Sequence, residues 1–366
     1  MKMSAQSAEF IIIGAGLSGL YAAHLLTERG ADWCLLEARQ TAGGRILSVA
    51  APGGACAQRF DLGPSWYWPE YQGDLARLIA QRQLETFPQY ETGNMVVERS
   101  NATPPQHMPG YRSVPQSWRL AGGMAALLEG LQKNLDAERM HFGQVVQELQ
   151  IVGGKVAVTT VGENGELTVW QANKVLLALP PRLAIERLHF APALPEPLRR
   201  EWSATPTWMA PHAKYLAVYE KPFWRVQGLS GEGRSAVGPL QEIHDASLPD
   251  GIGALFGFLG MPARLRRSMS AQTLQEACRR QLGRLFGASA TTPVAEFFQD
   301  WAENPFTSTT LDEDAAMEHV STPVAAPAHG PWAGKIVGIG SEWATAFPGY
   351  LAGAVESATI GVESIR

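Results

Sequence analysis

The chain has 366 residues, 45% of them hydrophobic, enough to fill the cores of two domains and to exclude a disordered or fibrous protein. Its 30 Lys and Arg against 35 Asp and Glu leave a net charge of -5, so nothing in the charge favours nucleic acid or an anionic membrane surface. The three cysteines, Cys34, Cys56 and Cys278, are odd in number and far apart; they match neither a disulfide framework nor a metal site, and a reducing compartment is expected.

The first elements read strand, tight turn, helix, strand. Phe10 to Ile13 is β-branched or aromatic, Gly14 to Gly19 turns, Leu17 to Arg29 has helical character and Trp33 to Glu37 is extended. Phe10 to Leu26 superficially resembles a secretory signal core, but Gly14, Gly16 and Gly19 interrupt it. No other run approaches the roughly 18 apolar residues of a bilayer span. With no hydrophobic tail before Arg366, a soluble protein is expected.

Leu75, Leu78, Ile79 and Leu84 predict a helix within Asp74 to Leu84, whereas Pro88 to Pro115, rich in Pro, Gly, Ser and Thr, reads as an irregular domain crossing. Met124, Leu127, Leu128, Leu131 and Leu135 mark a second helix, and two strands follow across Val145 to Val161 with a turn at Gly153-Gly154. Val175 to Leu179 is a buried strand stopped by Pro180-Pro181. From Trp202 the pattern shifts to a separate layer, with Lys214 to Tyr219 alternating faces and Leu274, Cys278, Leu282 and Leu285 forming a helical stripe. Beyond the connector Pro323 to Pro331, a strand at Lys335 to Ile339 and a helix at Tyr350 to Ile365 return to strand-turn-helix order, so the nucleotide-binding part is expected to be discontinuous. No internal repeat is present.

Gly14-x-Gly16-x-x-Gly19 stands between a strand and a helix, where small residues admit a pyrophosphate to the backbone and the helix N-terminus attracts its charge. Glu37, ending the next strand, is placed to accept hydrogen bonds from a ribose and disfavours a 2'-phosphate. Nicotinamide and flavin dinucleotides share this fingerprint. The eight histidines show no ligand spacing, and no nucleophile motif or metal site is read.

The run Leu36 to Arg45, LEARQTAGGR, resembles the second glycine motif of the flavin amine oxidase superfamily. Asp61 to Pro69, DLGPSWYWP, is similar to the segment beside the flavin in its monoamine oxidase branch. Arg119 to Met124, Val175 to Arg182 and Gly340 to Ala358, GSEWATAFPGYLAGAVESA, resemble further landmarks of that family. The resemblance implies FAD held by Gly14, Gly16, Ser18, Gly19, Glu37, Arg39, Gly43, Gly44, Arg45, Gly63, Pro64, Ser65, Trp66, Val146, Glu342 and Leu351. Arg45 would assist at the pyrophosphate, the Val146 backbone would meet the adenine, and Glu342 would bind the ribityl chain. The helix entry at Tyr350-Leu351 aims free N–H groups at the flavin N1/C2 edge. Lys214, in AKYLAVYEKPFWR, resembles the lysine that relatives hold through a water near flavin N5, and Lys214 and Tyr350 are the catalytic candidates. On its strand Lys214 is either buried with a partner or exposed at a strand end. Two departures stand out: Thr310 occupies the position of the flavin-linking cysteine, so FAD is expected without a covalent link, and Leu311 stands where an aromatic would complete an amine cage with Tyr350.

The implied architecture is α/β: a Rossmann-type FAD-binding domain assembled from 8–86, 118–202 and 322–366, with a smaller mixed α+β substrate domain from 87–117 and 203–321. The implied activity is oxidation of an amine by hydride transfer to flavin N5, with dioxygen as acceptor and imine, then aldehyde, and hydrogen peroxide as products. The expected partners are a small-molecule amine and dioxygen, with no nucleic acid and no membrane anchor, in the cytoplasm; the oligomeric state is open. Two alternatives remain at this point: a flavin-dependent carbon–carbon dehydrogenase related to desaturases or protoporphyrinogen oxidase, and an FAD-binding maturation partner.

Overall fold

The computed structural model describes residues 6–51, 58–249, 251–313 and 321–365. Cys56 and His319 lie outside the described residues. The strand Phe10–Ile13 is buried at all four positions, as expected of a strand covered on both faces. It is the middle strand of a parallel sheet ordered Met140–His141, Trp33–Leu36, Phe10–Ile13, Lys174–Leu177, Ile336–Gly338, with Ile12 opposite Leu35 on one side and Leu176 on the other. The sheet thus gathers strands from both ends and the middle of the sequence. On one face Leu20, Ala23 and Leu26 of the helix Leu17–Glu28 pack with Ala354, Val355 and Ala358 of the helix Leu351–Glu363. On the other, Ile11, Ile13, Val175 and Leu177 share a core with Val156, Val158 and Trp170 of a second, five-stranded sheet. In that sheet Val145–Val152 pairs with Lys155–Val161 through Gly153 and Gly154, both at positive φ (56° and 77°), the backbone a tight two-residue hairpin turn demands.

A seven-stranded sheet forms the other body, ordered Ala295–Asp300, Ala213–Tyr219, Gly253–Leu259, Leu240–Asp245, Leu229–Ser235, Asn94–Glu98, Gln106–Pro109. The last two strands correct the expectation that Pro88 to Pro115 is irregular. Asn94–Glu98 pairs parallel with Leu229–Ser235, a partner more than a hundred residues away that local composition cannot signal. Every residue of Ala213–Tyr219 is buried, because each of its alternating faces has a cover. Tyr215, Ala217 and Tyr219 pack under the helix Ala271–Phe286, while Leu216 and Val218 meet Phe60 and Leu62 from the first body. Lys214 shares the second face. At the end of the strand Arg266 and Asp300 form a buried two-bond ion pair, both N–H···O distances 2.6 Å.

No helix among the described residues is long and apolar enough to cross a membrane, and no group of three or more His, Cys, Asp or Glu among them is placed to hold a metal ion.

Candidate active site

A cavity of about 850 Å³ runs between the carboxyl ends of the parallel strands and the inner face of the seven-stranded sheet, the position at which open α/β sheets bind ligands. The residues just beyond four of those strands, Gly14, Glu37, Ala178 and Gly340, all line it. Of the sequence-predicted residues, Gly14, Gly16, Ser18, Glu37, Arg39, Gly43, Gly44, Arg45, Gly63, Pro64, Ser65, Trp66, Val146, Lys214, Tyr350 and Leu351 reach this one cavity. Gly19 and Glu342 do not line it.

At the end near Gly14 the wall is bare backbone. A Cβ on Gly44, itself at φ 60°, would come within 3.3 Å of the Gly16 Cα, and one on Gly19 would fall 1.9 Å from the Gly14 carbonyl oxygen. The first pair keeps the wall open and the second lets the helix Leu17–Glu28 start directly at the strand end. That helix opens at Gly16 without a side-chain cap, leaving the amide dipoles of its first turn directed at the cavity end. The buried Glu37 carboxylate accepts from the Ala15 N–H at 2.6 Å and the Arg39 N–H at 2.9 Å, which fixes it against the turn. Arg39 donates to the Gly44 carbonyl and to Asn304 and lies over Phe306. Arg45 forms a two-bond pair with Glu342, at 2.5 and 3.0 Å, and donates to Ser341 and the Trp208 carbonyl. Two residues read separately from opposite ends of the sequence are therefore ion-pair partners.

At the other end stands Lys214, 2% exposed. Its Nζ donates to the Ser65 Oγ at 2.7 Å and the Gly63 carbonyl at 3.1 Å, and lies 3.8 Å from the centre of the Phe256 ring. Burial pulls the amine down to about 7, opposed by the buried Asp61 carboxylate and assisted by Arg119. Of the two fates considered for this lysine, the structure realises the buried, partnered one. Strand register places Glu242, Phe258 and Lys214 side by side across three strands, so all three face the cavity. Glu242 bonds His244 at 2.7 Å and Arg234 at 2.5 Å, with the His244 bond foremost in holding its carboxyl near about 2. His212, on the same face two residues before Lys214, is held below the ordinary histidine range by burial and by Arg266.

The aromatic arrangement differs from the expected one. Leu311 is 62% exposed and Thr310 is exposed; neither lines the cavity, so Leu311 stands at no gap beside Tyr350. Tyr350 instead meets Trp208 at 5.6 Å with a 33° tilt and Trp68 at 6.2 Å edge-on. Gly349, at φ 82°, makes room for this, since a Cβ there would lie 2.5 Å from the Trp208 Cγ. Trp208, His212, Glu242 and Phe258 were not singled out from sequence. The first two precede Lys214 in chain order, while the others become neighbours only through strand pairing.

Comparison with known proteins agrees with this geometry. Residues 90–365 match the family described as flavin containing amine oxidoreductase, and residues 12–82 match an NAD(P)-binding Rossmann-like domain. The chain is 26% identical to a putrescine oxidase of Kocuria rosea, with 82% of this chain and 83% of the relative matched. It is 28% identical to a probable flavin-containing monoamine oxidase A of Dictyostelium discoideum and 29% to a flavin-containing amine oxidase B of Sus scrofa. Each of those matches takes in 66% of this chain, and the chain spans only about half of each relative, 52% and 46%. Its fold is that of a solved putrescine oxidase mutant, TM-score 0.80 at 20% identity with 99% of both chains covered. A cyclohexylamine oxidase of Brevibacterium oxydans superposes at 0.78 with 19% identity and 98% of both chains.

Proposed function

Because the chain belongs to the flavin-containing amine oxidoreductases, with FAD as its cofactor, we propose that it oxidises a small-molecule amine to the imine, which water converts to aldehyde and ammonia, with dioxygen as electron acceptor and hydrogen peroxide as by-product. The observation that carries this reading is a single cavity joining a glycine-walled dinucleotide cradle at one end to a buried lysine of near-neutral proton affinity at the other. The cavity is near the top of the roughly 300–1,000 Å³ range of ligand sites, more than a small amine alone requires.

The residues fit FAD on this geometry. The glycine wall, the uncapped start of the helix Leu17–Glu28 and Arg45 suit the pyrophosphate; Glu37 suits a ribose, and the Val146 backbone the adenine. Gly63, Pro64, Ser65 and Trp66 flank the flavin position, and the uncapped start of the helix Leu351–Glu363, at Tyr350 and Leu351, provides the positive dipole end there. Glu342, which does not line the cavity, acts by orienting Arg45, with which it is paired. FAD, when bound, supplies the acceptor for a hydride from the amine α-carbon.

The protein supplies the remainder. Trp68, Trp208 and Tyr350 present ring faces and edges that orient an amine nitrogen. The cavity lies between the two bodies, which limits the approach of bulk water to it. Lys214 Nζ, which exchanges a proton readily near neutral pH, holds the water that completes hydrolysis of the imine. We propose further that FAD is held without a covalent bond, since Thr310 is exposed away from the cavity. The FAD-binding domain is taken as 8–86, 118–202 and 322–366 and the substrate domain as 87–117 and 203–321, the division along which the parallel and seven-stranded sheets separate. A cytoplasmic location accords with two buried free thiols, Cys34 and Cys278. The carbon–carbon dehydrogenase and maturation-partner alternatives are not favoured, because the curated relatives are amine oxidases.

The test is anaerobic mixing of the purified yellow protein with a panel of primary amines and diamines, followed by admission of air. Bleaching of the flavin absorbance and then stoichiometric peroxide are expected, and acid precipitation should leave all the flavin in the supernatant. An enzyme that stays yellow with every amine would sink the proposal.

A further inference from the structure

Gln144, just ahead of the strand Val145–Val152, lines the dinucleotide end of the cavity beside Glu37, whose backbone carbonyl accepts from the Gln144 N–H at 2.8 Å. A buried relay sets the orientation of its side chain. Trp170 donates its indole N–H to the Thr160 Oγ1 at 3.0 Å, and an indole nitrogen can only donate, so that oxygen is the acceptor. The single proton of the Thr160 hydroxyl then goes to the Gln144 Oε1 at 2.7 Å. Were the amide turned over, the hydroxyl would keep only the Thr168 carbonyl at 3.5 Å, where little of a hydrogen bond is left. Thr160 is fully buried and Trp170 is 3% exposed, so water replaces neither partner. The relay thus occupies the amide oxygen and leaves the Gln144 NH2 group, with its two donors, unpartnered among the described residues and open to the space outside the packed interior.

Donors are scarce among the side chains beside it. The Glu37 carboxylate only accepts, while Nη1 and Nη2 of Arg39 donate to Gly44, Asn304 and Thr307. The adenosine half of FAD has ribose hydroxyls that can donate to Glu37, but its ring nitrogens and ribose oxygens need a donor. We propose that Gln144 is a further cofactor-binding residue whose amide NH2 donates to an acceptor of the FAD adenosine, with Thr160 and Trp170 as positioning residues that hold the amide in that orientation. Glu37 and Gln144 then engage the adenosine with opposite polarity, one accepting and the other donating. Because the relay fixes the amide before the cofactor arrives, little side-chain freedom is lost on binding.

This inference rests on FAD as the cofactor and not on the amine, and its test reads flavin binding alone. The yellow holoprotein is diluted at pH 8, and the flavin released at equilibrium, measured by its fluorescence, gives the dissociation constant. Gln144→Leu should raise that constant about two- to tenfold, the worth of one net hydrogen bond. Gln144→Glu preserves the shape and the acceptor for Thr160 but replaces both donors by an acceptor beside Glu37. It should raise the constant at least as much, and it serves where the leucine variant does not fold. Thr160 does not line the cavity, so Thr160→Val acts only through Gln144; it should raise the constant by a smaller factor and add nothing once Gln144 is leucine. A constant unchanged in both Gln144 variants overturns the proposal. A Thr160→Val effect that persists undiminished beside Gln144→Leu overturns the positioning role, because a merely structural loss would not depend on Gln144. Gly44→Ala, which crowds the glycine wall, should weaken FAD whatever Gln144 does; an unchanged constant there would count against the placement of FAD itself, so the two failures are distinguishable.

Discussion

Replacing Lys214 by Met separates the cost of burying this lysine from its use. Unfolded, a lysine titrates at about 10.4; folded, Lys214 titrates at about 7, lowered chiefly by burial. Below pH 7 both states carry the proton, and folding bears the full penalty of enclosing the charge. Between about 7 and 10.4 the unfolded chain binds more protons than the folded one, so this residue makes stability rise with pH by about 1.4 kcal/mol per pH unit, reaching about 4 to 5 kcal/mol at the upper end. Met preserves the length and volume and has no charge, so the rise should vanish in Lys214→Met. The substitution leaves the Ser65 hydroxyl and Gly63 carbonyl without their lysine partner, at about 1–3 kcal/mol each and independent of pH. Urea unfolding of both proteins at pH 6, 7, 8 and 9 in a constant excess of FAD gives the comparison. The difference in unfolding free energy should be flat from pH 6 to 7 and then swing by about 1.4 kcal/mol per unit in favour of the lysine protein. Parallel curves across pH 7 to 9 would show that Lys214 does not titrate there and that its environment has been misjudged. Amine turnover by the same variant should fall about 10²–10⁴-fold with flavin content unchanged; full turnover would remove Lys214 from the catalytic machinery.

Other substitutions probe the remaining parts of the site and its support. Gly44→Ala places a Cβ at φ 60° and 3.3 Å from the Gly16 Cα; a stability loss of about 1–2 kcal/mol and at least tenfold weaker retention of FAD on dialysis are expected, and undiminished flavin binding would contradict the cradle. Trp208→Ala removes the ring beside Tyr350; a ring contact of about 0.5–2 kcal/mol implies a KM for amines raised roughly two- to thirty-fold, and steady-state kinetics showing an unchanged KM would place the ring outside the substrate site. Arg266→Met leaves the buried Asp300 carboxylate without its guanidinium and should lower unfolding free energy by about 3–5 kcal/mol in urea, with a smaller loss in the double variant Arg266→Met with Asp300→Leu; an unchanged urea midpoint would refute it.

The parts of this protein legible in the sequence are those that depend on neighbours close along the chain. A strand, a glycine turn and a helix in succession announce Phe10 to Glu28, and Gly153-Gly154 announces its hairpin, because turn geometry and hydrophobic period are local properties. Lys214 and Tyr350 were likewise located by short motifs, and both reach the cavity. What the sequence left open is what strand pairing and domain closure decide. Whether Lys214 was buried or exposed depended on Phe60 and Leu62 covering its sheet face; its proton affinity depends on that burial and on Asp61 and Arg119, each distant in sequence. Asn94–Glu98 looked irregular because one of its two partner strands lies beyond residue 228. The aromatic neighbour of Tyr350 is Trp208, not a residue at position 311, since that position turns outward. Local chemistry sets which backbone a segment prefers, but desolvation and side-chain contact are properties of space, and they exist only once remote segments have been brought together.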